Sequence, residues 1–205
     1  MSVTTNPLSL DLSRNQSQEV AWANLYLMLA RAFSLPAEMD DQWPQQVRRL
    51  LPDLDPALHS PGFALARAWE DALKNREGLS LAYARLFLGP FEILASPYAS
   101  SYLEPDQRLM GEVSQAVAHE YVEAGLAPGA RPHEAPDHVA LEWEFVYYLT
   151  YQYISTGEER WIEQRNRYLS THMACWMPSF AQRITQAEQH IFYDAVAVFL
   201  KKLFE

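Results

Sequence analysis

Pro136-Asp137-His138-Val139-Ala140-Leu141-Glu142-Trp143-Glu144-Phe145 is the stretch on which the fold turns. Val139, Trp143, Val146, Thr150 and Tyr153 step four, three, four, three, which predicts a helix from Pro136 to about Thr156. Proline suits a helix's first turn, and an acidic residue there meets the positive end of the helix dipole. Asp137 therefore reads first as an ordinary first-turn or capping residue, with His138 as its bystander. Glu142 argues for more. It sits four residues after His138, flanked by Val139, Phe145, Val146 and Leu149, where a carboxylate is costly unless paired or beside a polar cavity. His138 and Glu142 are expected to meet at this spacing, placing a polar patch in an apolar wall.

The same helical period extends in both directions. Residues 19–33 carry two stripes, Ala21/Leu25/Met28/Ala32 and Trp22/Tyr26/Leu29/Phe33, so this helix is expected to be largely buried. Pro36 stops it, and a second helix is expected from Met39 to Leu51, ended by Pro52. Pro52, Pro56, Pro61 and Gly62 read as a loop. Helix resumes from Phe63 to Asn75, and after Gly78 in a short piece ending at Leu86-Phe87, where Gly89-Pro90 breaks it. Phe91 to Pro105 reads as a long irregular segment rich in Ser, Pro and Tyr, of the kind that usually carries function when ordered. Further helices are expected at 107–124, with Gly125 as the stop, and at 158–173, 176–188 and 190–204. No alternating β pattern longer than a few residues occurs and no repeat is visible, so the class is all-α. Residues 1–205 read as one helical domain, with possible sub-lobes 1–125 and 136–205 joined by a Pro/Gly hinge at 126–135.

Composition narrows the function. The chain has 205 residues, 49% of them hydrophobic, and a formal charge of −10. That balance disfavours sequence-independent nucleic-acid binding, which needs a basic stripe, and docking on an anionic membrane. The charge is uneven: residues 101–145 hold nine acidic side chains against two basic ones, a local balance of −7. A single cysteine, Cys175, excludes an internal disulfide and fits a reducing compartment. No apolar run is long enough to span a bilayer, and Met1 to Gln18 is polar, unlike a secretory signal. A cytoplasmic protein is expected.

Two constellations could carry chemistry. Asp137, His138 and Glu142 could act as acid–base groups of an enzyme, yet no nucleophile, metal frame or cofactor fingerprint accompanies them. His133, Glu134, Asp137, His138, Glu142 and Glu144 crowd together, but the histidines are five apart across a proline and miss the helical metal motif. His119, His172 and His190 show no obvious partners. Ser96, Ser100 and Ser101 lack a nucleophile elbow, and there is no phosphate-binding glycine loop. The second constellation is Tyr83, Leu86, Phe87, Phe91, Tyr98 and Tyr102. Leu86 and Phe87 can be read as core; Phe91, Tyr98 and Tyr102, in a broken loop, can line a groove, where aromatics give large contact area at low rotamer cost. Apolar surface beside an acidic field suits a ligand both greasy and cationic.

Leu86-Phe87-Leu88-Gly89-Pro90-Phe91, then Ser96-Pro97-Tyr98 with Ser100 and Tyr102, then Gly111, then Pro136-Asp137-His138 resemble in order and spacing the TorD/DmsD family of redox-enzyme maturation chaperones. The similarity covers most of the chain. It implies an all-helical bundle in two lobes, monomeric or domain-swapped, and a non-enzymatic role. The implied ligand is the twin-arginine signal peptide of a molybdenum-cofactor enzyme, held in the cytoplasm so that export waits on cofactor insertion. A close alternative is a chaperone recognising the catalytic subunit itself. By this resemblance the peptide-site residues are Tyr83, Leu86, Phe87, Phe91, Pro97, Tyr98, Tyr102, Gly111, Pro136, Asp137, His138 and Glu142. Some relatives carry tryptophan where this chain has Tyr83, Phe91, Tyr98 and Tyr102, and an aromatic where it has Ala30 or Arg31. Weak guanine-nucleotide or molybdenum-cofactor binding is implied by the family alone; no cofactor is expected from the residues.

Overall fold

The computed structural model describes residues 14–89, 92–106, 110–126 and 134–205, and among them every regular element is helical. Helix α1 spans Arg14–Ala32 and lies along α7, Val139–Thr156, which forms the central axis. Both stripes read in α1 are buried, apart from the half-buried Trp22. Tyr26 stacks on Trp143 with ring centroids 5.7 Å apart, and Trp143 is fully buried. Burial of this kind contributes roughly 25 cal/mol per Å² of apolar surface and outweighs any helix propensity.

Three boundaries differ from expectation, each because of proline. Helix α2 runs Trp43–Leu50 rather than from Met39, because Pro44 in its first turn sets where the helix begins. Pro36 and Pro52 open short 3₁₀ turns, Pro36–Glu38 and Leu51–Asp53. Helix α3 spans His59–Leu73, so Pro61 and Gly62 are helical and not loop. A first-turn proline loses no hydrogen bond. Gly62 allows close approach: a Cβ there would lie 2.3 Å from Leu51 Cδ2.

Helix α4, Arg76–Tyr83, continues into a π turn at Ala84–Leu88 that ends at Gly89 with φ +34. A side chain at Gly89 would collide with the Glu92 carbonyl, 2.1 Å from its Cβ, so the turn back requires glycine. The supposed irregular segment contains one helical turn, α5, Ser100–Leu103. Helix α6 is described over Glu112–Glu123 with Gly111 at its N-cap; the expected start at Gln107 lies outside the described residues. Helix α8, Glu159–Tyr168, passes through a second π turn, Leu169–Met173, directly into α9, Ala174–Ala187. The two helices expected at 158–173 and 176–188 are thus one widened rod. Helix α10, Ile191–Leu203, packs on α3 and α9.

The core is one continuous apolar cluster drawn from α1 to α10. Phe33, Phe87, Phe180 and Tyr193 form its aromatic centre, with Phe87 5.8 Å from Phe33 and 5.2 Å from Tyr193. The proposed hinge at 126–135 lies mostly outside the described residues. No described helix is long and apolar enough to cross a membrane.

Candidate functional site

The site is assembled at the head of α7. Asp137 is fully buried; its Oδ2 accepts from the Ser100 amide at 2.9 Å and its Oδ1 from the Ser114 hydroxyl at 2.5 Å. Its carbonyl accepts from the Ala99 amide, and the Val139 amide donates to the Pro97 carbonyl at 2.8 Å. An antiparallel bridge between Tyr98 and His138 closes the arrangement. One carboxylate therefore ties α5 and α6 to the head of α7. Asp137 was expected in the helix's first turn; it precedes the helix, and His138 is the N-cap. His138 Nδ1 accepts from the Ala140 amide at 3.2 Å, which assigns the ring proton to Nε2. Burial lowers the affinity of His138 for a second proton, against the pull of Glu134 and Asp137.

Tyr98 packs edge-on against the His138 ring, centroids 5.2 Å apart, and donates its hydroxyl to Glu134 Oε2 at 2.6 Å. Burial and this bond hold its proton well above the ordinary phenol range. The Tyr83 hydroxyl donates to the Phe33 carbonyl, and its pKa is pushed up to about 12 by burial, with Glu134 and Glu38 adding to the rise. Glu38 also acts on Glu144 of α7, whose carboxyl is raised by burial and lowered by Arg31. Glu38, from the 3₁₀ turn after α1, and Glu134, from the segment before α7, thus both act on the buried Tyr83, and Glu144 of α7 is linked to this group through Glu38. Glu38 and Glu134 are exposed and Glu144 partly so.

Exposed apolar side chains occur on the same chain segments. Leu35 precedes the turn bearing Glu38, Leu81 and Leu88 lie on either side of Tyr83, and Ile93 follows in the loop; all four are more than a third exposed. Arg76 fastens the turn to α4 by donating to the carbonyls of Pro36 and Met39, each at 3.1 Å.

Other anticipated residues lie elsewhere. Leu86 and Phe87 are buried in the core rather than open to a groove. Tyr102 is half-buried; its hydroxyl donates to the Ser96 carbonyl and its ring lies 5.6 Å from Trp176. Pro97 and Gly111 are buried, and the Pro136 carbonyl accepts from the Tyr121 hydroxyl. Phe91 lies outside the described residues. Glu142 does not pair with His138. It is fully buried, with Oε1 2.8 Å from His172 Nε2 and Oε2 accepting from Trp176 Nε1 at 3.3 Å. At the helix head His138 is spent on capping, so Glu142 points across to the second π turn. His172 and His190, which showed no partner in sequence, both have one: His190 caps α10 by accepting from the Phe192 amide. Ser114 and His172 carried no local signal and Ser100 only its place in a loop motif, because their partners lie 23, 30 and 37 residues away. Among the described residues no three His, Cys, Asp or Glu side chains converge as a metal would need.

The architecture is that of the redox-enzyme maturation bundle. A crystal structure described as a candidate redox enzyme maturation protein from Archaeoglobus fulgidus superimposes with a TM-score of 0.55 at 20% identity, covering 98% of this chain and 99% of that one. The family itself follows from sequence. A family model described as nitrate reductase delta subunit matches residues 40–182, and the chain belongs to that family, that of the TorD/DmsD maturation chaperones. Among its relatives is the chaperone protein TorD of Vibrio vulnificus, 25% identical over 84% of this chain and 86% of that protein. The chaperone protein TorD of an Escherichia coli O157:H7 strain is 28% identical over 89% and 92%. The relatives are named as chaperones, and the family is one of maturation chaperones and not of enzymes.

Proposed function

We propose that this protein is a cytoplasmic chaperone that binds the twin-arginine signal peptide of a molybdoenzyme and holds back its export until folding and cofactor insertion are complete. One observation carries the reading. The exposed carboxylates of Glu38 and Glu134 come from separate elements and both act on Tyr83, and Glu134 also bonds Tyr98. The partly exposed Glu144 is coupled to Glu38, and Leu35, Leu81, Leu88 and Ile93 are exposed on the same chain segments. An arginine pair followed by an apolar run complements both features. The guanidinium groups find carboxylates and aromatic faces, and the apolar run finds exposed leucines.

Titration calorimetry with a synthetic twin-arginine peptide tests this. Binding at micromolar or tighter concentration is expected, about −8 kcal/mol or stronger. The same peptide with both arginines replaced by glutamine should bind markedly more weakly. Equal binding of the two peptides, or none of either, would overturn the proposal.

A further inference from the structure

Four arginines of this molecule are firmly held. Arg48 clasps Glu70 with two guanidinium nitrogens, Arg167 clasps Glu120 in the same way, Arg165 bonds to Glu19, and Arg76 bonds to Asp41 and two carbonyls. Each joins two elements. Arg31, at the end of α1, is different. Its Nη1 stands 3.8 Å from Glu144 Oε1, beyond hydrogen-bond reach, with the two side chains 30% and 41% exposed. Among the described residues its guanidinium makes no hydrogen bond. Such a pair is weak and open to solvent. It is also inside the acidic set: Glu144 feels Arg31 and Glu38, and Glu38 acts in turn on Tyr83.

We infer that Arg31 is a resident cation of the binding site, loosely seated on Glu144, with which a ligand's guanidinium must compete. This rests on the reading of the site as a receptor for arginine-bearing peptides and adds a residue that sets its threshold. A guanidinium arriving at Glu144 can form two parallel N–H···O bonds, which Arg31 does not. It must still displace or tolerate the positive charge already there. Arg31 therefore weakens binding of any cation and favours ligands with a second charge to engage Glu134 or Glu38.

The test uses the full chain and two probes, N-acetyl-Arg-Arg-amide and a long peptide with an arginine pair before a leucine-rich run. Arg31→Gln should tighten binding of the dipeptide by about three- to tenfold, the effect of removing one partly screened charge a few ångströms away. Arg31→Lys keeps the charge and should match the unaltered protein, and Glu144→Gln should weaken binding. The long peptide with its arginines replaced by glutamine should be indifferent to Arg31→Gln. Unchanged or weaker dipeptide binding by Arg31→Gln, with circular dichroism showing a native fold, overturns the inference while long-peptide binding keeps the receptor reading. Tighter dipeptide binding with no long-peptide binding supports the resident cation and overturns the signal-peptide reading. Absence of binding to both probes overturns both.

Discussion

Asp137 shows how one buried side chain can hold distant segments together. Its carboxylate is spent on the Ser100 amide and the Ser114 hydroxyl, with no exposed surface left. Asp137→Ala would leave a buried N–H and a buried hydroxyl without an acceptor, at roughly 1–3 kcal/mol each. We expect a loss of about 2–5 kcal/mol in denaturant unfolding, more than an exchange at a helix start would cost. A variant within 1 kcal/mol of the parent would mean the two donors find other acceptors. His138 is separable by pH. Its folded pKa is lowered, so the unfolded chain takes up a proton first as pH falls. The stability held by the neutral ring is complete above its ordinary pKa of 6.5 and declines below it. His138→Asn retains a capping oxygen but does not titrate. Its melting temperature should fall less steeply between pH 7.5 and 5.5 than that of the parent. Parallel curves would show that His138 is not protonated on unfolding.

Among the elements, the two π turns decide which way side chains face. The turn at Ala84–Leu88 leaves Leu86 and Phe87 in the core and Leu88 exposed beside the site. The turn at Leu169–Met173 brings His172 to Glu142, linking α7 to the rod of α8 and α9. Burial raises the Glu142 carboxyl, while His172 and Trp176 oppose the rise. Removing one partner of a buried charged pair is far worse than neutralising it. Glu142→Ala should cost about 3 kcal/mol or more, whereas Glu142→Gln, which still offers Trp176 and His172 a hydrogen-bonding group, should cost less than half as much. Chemical denaturation of both variants decides it. Equal losses would mean that the charge itself, and not the hydrogen bonding, holds the turn.

At the scale of the whole molecule, charge and apolar surface are assigned, under the proposed function, to two parts of one ligand. A net charge of −10, with −7 in residues 101–145, should make the arginine part of peptide binding sensitive to salt. Exposed charges are screened beyond about 8 Å at physiological ionic strength, whereas burial of apolar surface is not. Raising salt should therefore weaken binding only in part. Tyr98→Ala should remove much of the salt-resistant remainder. Complete loss of affinity in salt, together with indifference to Tyr98→Ala, would leave the carboxylates acting alone.

The helices and their class could be read from the chain directly, because burial imposes a 3.6-residue period that α1 and α7 display without interruption. The family could be read as well, from an ordered set of loop motifs and a helix head. The internal geometry of the site could not. Asp137 finds its partners 37 and 23 residues away, Glu142 turns from His138 to His172, and Arg31 meets Glu144 across two helices. Local spacing reports which residues share a helix face. Only packing determines which groups from distant segments satisfy a buried carboxylate, since that choice follows from desolvation and from the few donors the fold brings within reach.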